Sequence, residues 1–77
     1  MSERLPRLTA KEIIRILERH GFVLARSSGS HHILKNPAGR RTTVPVHSGQ
    51  ILHPKVLQSI LRDMDMTPDD LKNELGR

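Results

Sequence analysis

Apolar residues near the start of the chain recur at the spacing of one face of an α-helix. The pattern predicts a helix over residues 10–20, whose apolar side carries Ile13, Ile14 and Leu17. Thr9 and Glu12 have the spacing of a capping box, in which each side chain accepts a hydrogen bond from the backbone N–H of the other residue. Gly21 suits the left-handed conformation that ends many helices. The first element is therefore a short amphipathic helix with both ends marked.

The middle of the chain consists of short apolar and β-branched segments between turn residues, which predicts strands. The three predicted strands cover residues 22–26, 31–35 and 41–46. Ser27–Gly29 is predicted as the first turn. Asn36–Gly39 is predicted as the second, because it contains a proline that fixes φ and a glycine that tolerates positive φ. Alternation places on one side of the third strand Thr42, Val44 and Val46. Pro45 donates no hydrogen bond to a ladder, so the strand is an edge there or ends there.

Helical spacing returns after the strands. Pro54 suits the first turn of a helix, and the apolar side that follows consists of Val56, Leu57, Ile60, Leu61 and Met64. Thr67–Asp70 marks the start of a short third helix that ends at Gly76. The order predicts an α+β fold, α-β-β-β-α, with a three-stranded antiparallel sheet covered by helices on one face. Residues 1–77 form a single domain, and residues 1–8 are predicted to be a loose N-terminal arm.

Composition narrows the setting of this small domain. Cysteine is absent from its 77 residues, so disulfides and thiolate zinc sites are excluded. No apolar run is long enough to span a membrane, and a cytoplasmic location is predicted. The net charge is +5, and residues 35–62 contain no Asp or Glu. The cations of this stretch are Lys35, Arg40, Arg41, Lys55 and Arg62. A basic surface of one sign attracts nucleic-acid phosphates, although ordinary solubility also explains a charge of this size.

The five histidines of the chain are the candidates for a catalytic or metal-binding role. His20, at a helix end, and His53, ahead of a helix start, are predicted to be structural. His31 and His32 point to opposite faces of a strand, and no carboxylate lies near them in the sequence, so a shared metal is not expected. Acid–base chemistry is the remaining function, because histidine titrates near neutrality. It needs no metal or other cofactor, and none is predicted.

A basic phosphate-binding surface offers one obvious proton to such a histidine, that of a ribose 2′-hydroxyl. The oxygen freed of this proton can attack the neighbouring phosphate. Gly29 and Ser30 allow close backbone approach and offer donors to that phosphate. The same histidines also remain open to a packing role, because one face of the strand must meet the core.

Four segments in order resemble the HicA (YcfA-like) toxin family: "HGF" from His20, "GSHHILKNPAGR" from Gly29, "TTVPVHSGQIL" from Thr42 and "LQSILRDMDMTPDDL" from Leu57. The resemblance runs from about residue 9 to residue 71. It implies a fold like the double-stranded-RNA-binding domain. It also implies the toxin of a toxin–antitoxin pair that cleaves mRNA, and a HicB-type antitoxin that masks an essential histidine in an oligomeric complex.

The resemblance places the essential histidine at His31 or His32, and counting from Gly21 favours His31. If Leu34 faces the core, His31 faces solvent, and if Ile33 does, the sides exchange. His47 is predicted to contact phosphate or to carry a second proton. The alternative, that it is an ordinary loop residue without a role, has equal weight. The predicted phosphate-binding residues are Gly29, Ser30, Arg26, Lys35, Arg40 and Arg41.

Two other functions remain open from the sequence: an RNA-binding module without catalysis, and an interaction domain for an acidic partner. The chain has one aromatic residue, Phe22, and no Trp or Tyr. Base stacking on aromatic platforms is therefore not expected. Contact with RNA should be electrostatic, with weak sequence choice and strong salt dependence.

Overall fold

The computed structural model describes residues 5–76, which form three helices and three strands. In chain order the elements are α1 (Ala10–Arg19), β1 (Val23–Ser28), β2 (His31–Lys35), β3 (Arg41–Pro45), α2 (Pro54–Asp63) and α3 (Pro68–Glu74). The predicted α-β-β-β-α order, with a short terminal helix, is confirmed. Within the described residues no helix has the length and apolar character that a bilayer crossing requires.

The helix ends follow local side-chain chemistry. Thr9 N donates to Glu12 Oε1 at 2.9 Å and Glu12 N donates to Thr9 Oγ1 at 3.3 Å, which is the predicted capping box. α1 ends ahead of Gly21, whose φ is 84°. At α3, hydrogen bonds from the backbone and side chain of Thr67 hold the pKa of the Asp70 carboxyl below its ordinary value. These bonds fix where the chain turns into each helix.

The sheet is antiparallel, with β2 between β1 and β3. Ser28 pairs with His31, so the first hairpin closes through Gly29 and Ser30 alone. Gly29 has a φ of 57°, which fits a two-residue hairpin turn with glycine in the first central position. The predicted turn at Ser27–Gly29 was therefore placed too early, because both serines belong to the ladder.

β1 contains a bulge that the sequence did not indicate. Leu24 pairs with Leu34 and Arg26 with Ile33, which leaves Ala25 as an extra residue on β1. The strand begins at Val23 and not at Phe22, whose backbone N–H donates to the Leu17 carbonyl of α1 at 3.0 Å. The Phe22 ring lies in the core with 2% of its surface exposed.

The two faces of the sheet have opposite surroundings. Residues directly opposite on antiparallel strands point to the same side, so the pairing defines each face. On β2 and β3 the covered face consists of His32, Leu34, Thr42 and Val44, which are buried or half-buried. On β1 the same side carries Leu24 and Ser27, which are exposed. The open face consists of Val23, Arg26, Ser28, His31, Ile33, Lys35, Arg41, Thr43 and Pro45. Of these only Ile33 and Pro45 are half-buried, and the others are exposed.

The helices pack against the covered face and complete one hydrophobic core. Its fully buried members include Ile13, Leu17, Phe22, Leu34, Val44, Leu57, Ile60, Leu61 and Leu71. Thr42 is the buried polar residue among those described. The predicted apolar sides of α1 and α2 are thus the sides that meet the sheet. Val46, predicted to share the side of Val44, lies just after β3 and packs half-buried against the core.

The N-terminal segment differs from the loose arm predicted for residues 1–8. Residues 1–4 lie outside the described part of the chain. Leu8 is 0% exposed, and its carbonyl accepts a hydrogen bond of 2.8 Å from Leu52 N. Thr9 also forms a β-bridge with Ile51. A buried leucine and backbone bonds therefore attach this segment to the stretch before α2.

Candidate functional site

His31 and His32 have different environments, although they are adjacent. Leu34 is 1% exposed and faces the core, so His32, two residues earlier on β2, lies on the same covered side. The His32 ring is half-buried, and its Nδ1 is buried with no hydrogen-bond partner among the described residues. His31 is exposed on the open face. The structure therefore resolves the orientation that the sequence left open.

The hairpin turn holds His31 at the first residue of β2. Gly29 and Ser30 precede it directly, and the Ser30 carbonyl accepts a hydrogen bond of 2.6 Å from Val46 N. Across the ladder His31 pairs with Ser28 on one side and Pro45 on the other. The backbone around the exposed imidazole is thus held from both neighbouring strands.

His31 lines a groove where β3 lies beside α2. Its walls are His31, Thr43 and Pro45 from the sheet and Lys55, Val56 and Ser59 from α2. No lining residue is acidic. No sequence pattern predicts that Lys55 or Ser59 lies near His31. Lys55 belongs to the acid-free basic stretch, which was the one available signal, but its distance from β2 depends on how α2 packs.

The predicted cations lie at different places on the open face. Arg26 pairs with Ile33, two positions from His31 along β2. Lys35 and Arg41 are directly opposite each other at the other end of the strand, about 13 Å away at the usual rise per residue. Two cations facing each other across a ladder repel, so an anion between them would be favourable.

Arg40 has a local contact that the sequence did not reveal. Its Nη1 donates to the Asp63 backbone carbonyl at 3.2 Å. This carbonyl is at the end of α2, where a cation is favourable to the helix dipole. The Arg40 backbone N–H also donates to Asn36 Oδ1 at 2.9 Å, within the second turn. Arg40 therefore links this turn to α2, at the opposite end of the sheet from His31.

The other histidines lie outside the groove of His31. His53 is the N-cap of α2, and its Nδ1 accepts a hydrogen bond of 3.1 Å from Lys55 N. His20 Nε2 lies 3.2 Å from Glu74 Oε1, and Arg19 reaches the same oxygen at 3.7 Å. Both histidines were predicted to be structural, but the contact between His20 and Glu74 was not itself predicted.

His47 is exposed in the loop after β3, and with His53 it lines a neighbouring cavity that shares Pro45 and Val56 with the groove. Within residues 5–76 no cluster of three or more His, Cys, Asp or Glu residues is suited to a metal ion.

These features define a class: a small α+β domain whose uncovered sheet face is basic and free of acidic residues and carries an exposed histidine. A family model for the HicA toxin of bacterial toxin–antitoxin matches residues 10–66, which is most of the chain. The chain belongs to the HicA toxin family, and the resemblance seen in the sequence is confirmed. Membership implies a cognate antitoxin as partner. A comparison with curated proteins finds no match.

Proposed function

We propose that this HicA-family protein is a metal-independent endoribonuclease that cleaves mRNA in the cytoplasm, with His31 as the general base. The observation that carries the proposal is the exposure of His31 on a basic face whose residues include no carboxylate. A general base must be reachable by its substrate. His32 does not meet this condition equally, because its Nδ1 is buried on the covered side.

The reaction is a transfer at phosphorus within one RNA strand. An unprotonated nitrogen of His31 takes the proton of a ribose 2′-hydroxyl as that oxygen forms a bond to the adjacent phosphorus. The bond from phosphorus to the 5′-oxygen breaks, and this oxygen takes a proton from water, which reaches the open face. The products are a 2′,3′-cyclic phosphate and a 5′-hydroxyl. Proton transfer by a positioned side chain contributes about 10²–10⁴-fold to such a rate.

The remaining site residues bind the RNA backbone in this proposal. Backbone N–H groups at Gly29 and Ser30 approach the phosphate beside His31, and Arg26 lies on the same face. Farther along the strand, Lys35 and Arg41 bind a second phosphate, which removes the repulsion between them. His47 contacts the RNA where it leaves the groove. Arg40 contributes charge at the far end while it holds α2.

Binding should depend strongly on salt. Phe22 is buried, so no Phe, Tyr or Trp ring is available for stacking on bases. Affinity then comes from phosphate contacts and falls as counterion release becomes less favourable at high salt. In this proposal the cognate HicB-type antitoxin inhibits cleavage by covering the same open face.

The test compares His31→Ala with His32→Ala, a matched pair one residue apart. Each purified chain is incubated with single-stranded RNA in EDTA, and the products are analysed for cyclic phosphate ends. We expect His31→Ala to lower the cleavage rate at least about 100-fold. The folded fraction of the His32→Ala chain should keep most of the cleavage rate of the unsubstituted chain. Circular dichroism establishes the folded fraction of each variant.

Three results would contradict the proposal. Cleavage that survives His31→Ala removes His31 as the base. Loss of cleavage in a folded His32→Ala chain would indicate that His32, and not His31, is the general base. Salt-sensitive RNA binding without cleavage by the unsubstituted chain favours a non-catalytic RNA-binding module.

A further inference from the structure

The wall of the groove opposite His31 is formed by α2 and contains a cation that no role has been given so far. The groove has a volume of about 360 Å³. His31, Thr43 and Pro45 form its sheet side, and Lys55, Val56 and Ser59 form its helix side. Pro45 and Val56, both half-buried, are its apolar lining residues. The groove therefore combines an imidazole, an ammonium group and hydroxyls with two apolar side chains.

The packing of α2 fixes which side chains reach the groove. Leu57, Ile60 and Leu61 are buried against the sheet. Lys55 and Ser59 are exposed and four residues apart, so they lie one above the other on the same side of the helix. The first turn is held by His53, whose Nδ1 accepts the Lys55 backbone N–H. The Lys55 side chain therefore extends from a fixed backbone.

Lys55 also has no ion pair with a carboxylate among residues 5–76. Glu74, which does form ion pairs, has Arg19 and His20 as its partners. The α2 first turn contains no acidic residue. The cations at the far end of the open face are about 13 Å from His31, and Arg40 is bonded to the end of α2. Lys55 is thus the cation that shares a groove with the exposed histidine.

We propose that Lys55 and Ser59 bind the phosphate that His31 acts on, so that the RNA strand enters between β3 and α2. Lys55 Nζ binds one non-bridging oxygen and Ser59 Oγ donates to another, while His31 faces the ribose 2′-hydroxyl across the groove. A phosphorus with five oxygens carries more negative charge than the starting diester, so an ammonium group here favours the transition state. This inference rests on the proposed function and names the residues that hold its phosphodiester substrate.

The test measures binding separately from cleavage. The His31→Ala chain, which leaves the RNA intact, is titrated with a 2′-O-methylated single-stranded RNA at several salt concentrations. Lys55→Gln in this background should lower the affinity and reduce the slope of log affinity against log salt by about 0.7, the value for one phosphate contact on a single strand. Lys55→Arg should restore the slope, because it keeps the charge. Ser59→Ala should weaken binding about threefold.

The matched control is Lys72→Gln, which removes a lysine charge on α3 outside the groove. Equal slopes for the Lys55→Gln and Lys72→Gln chains would overturn the inference, because the loss would then reflect net charge alone. In the chain with His31 intact, Lys55→Gln should lower the cleavage rate more than Lys72→Gln does. Absence of cleavage by the unsubstituted chain would remove the proposed function, whereas the salt slope decides the role of Lys55 by itself.

Discussion

The two faces of the sheet are built from alternating residues of the same strands, yet they have separate tasks. On the covered face Leu34 and Val44 pack under the helices, and His32 and Thr42 have buried polar atoms without partners among the described residues. The open face has cations and His31 exposed to solvent. Neighbours in sequence therefore belong to different environments. Single substitutions at two adjacent positions, one on each face, separate effects on stability from effects on function, because each variant is the control for the other.

The largest expected difference is between Leu34 and Ile33. Leu34→Ala leaves a cavity in the core and should lower the free energy of unfolding by about 2–5 kcal/mol. Ile33→Ala, on the open face, should lower it by about 1 kcal/mol. Urea unfolding of both chains measures the difference. Equal losses would mean that the open face is covered in solution, and the comparison between the faces would fail.

A second pair is Thr42 and Thr43. Thr42 Oγ1 is buried without a partner among the described residues, and such a group costs about 1–3 kcal/mol. Thr42→Val keeps the shape and should raise the free energy of unfolding by about 1 kcal/mol. Thr43 is exposed, so Thr43→Val should change the free energy of unfolding by less than about 0.5 kcal/mol. Thermal unfolding gives both values, and a less stable Thr42→Val chain would show that the hydroxyl is hydrogen-bonded in solution.

The smallest effect on stability is expected for Arg40 and Arg41. Arg40→Gln removes the charged contact to the Asp63 carbonyl and should lower the free energy of unfolding by about 0.5 kcal/mol. Arg41→Gln relieves the repulsion against Lys35, so stability should stay equal or rise by a few tenths of a kcal/mol.

In RNA binding, Arg41→Gln should have the larger effect, whereas in stability Arg40→Gln should. Arg41→Gln should reduce the salt slope by about 0.7, more than Arg40→Gln does. A filter-binding titration at several salt concentrations measures both slopes. If Arg40→Gln has the larger effect, the far end of the open face is not where the RNA runs.

The sequence predicted the elements well, because their ends depend on local chemistry. The Thr9–Glu12 capping box and the left-handed Gly21 act within a few residues, and both marked the limits of α1 correctly. The first hairpin turn was predicted to begin two residues too early, since Ser27 and Ser28 are equally compatible with a strand end and a turn. The bulge at Ala25 had no glycine or proline to indicate it.

The site was less predictable because it depends on packing. Whether His31 or His32 faces solvent required the orientation of Leu34, which only the assembled core fixes. The proximity of Lys55 to His31 depends on the angle at which α2 meets β3. The contact between Arg40 and Asp63 joins residues 23 positions apart. None of these relations has a local sequence pattern.

The attachment of the N-terminal segment has a practical side. Leu8 and Thr9 form backbone bonds to Leu52 and Ile51, in the stretch that joins His47 to the start of α2. Shortening the chain through Leu8 to trim a tail would remove a buried leucine and loosen that stretch, so a drop in activity would be mistaken for loss of a substrate contact. An affinity tag for purification is better joined behind α3 than in front of Leu5.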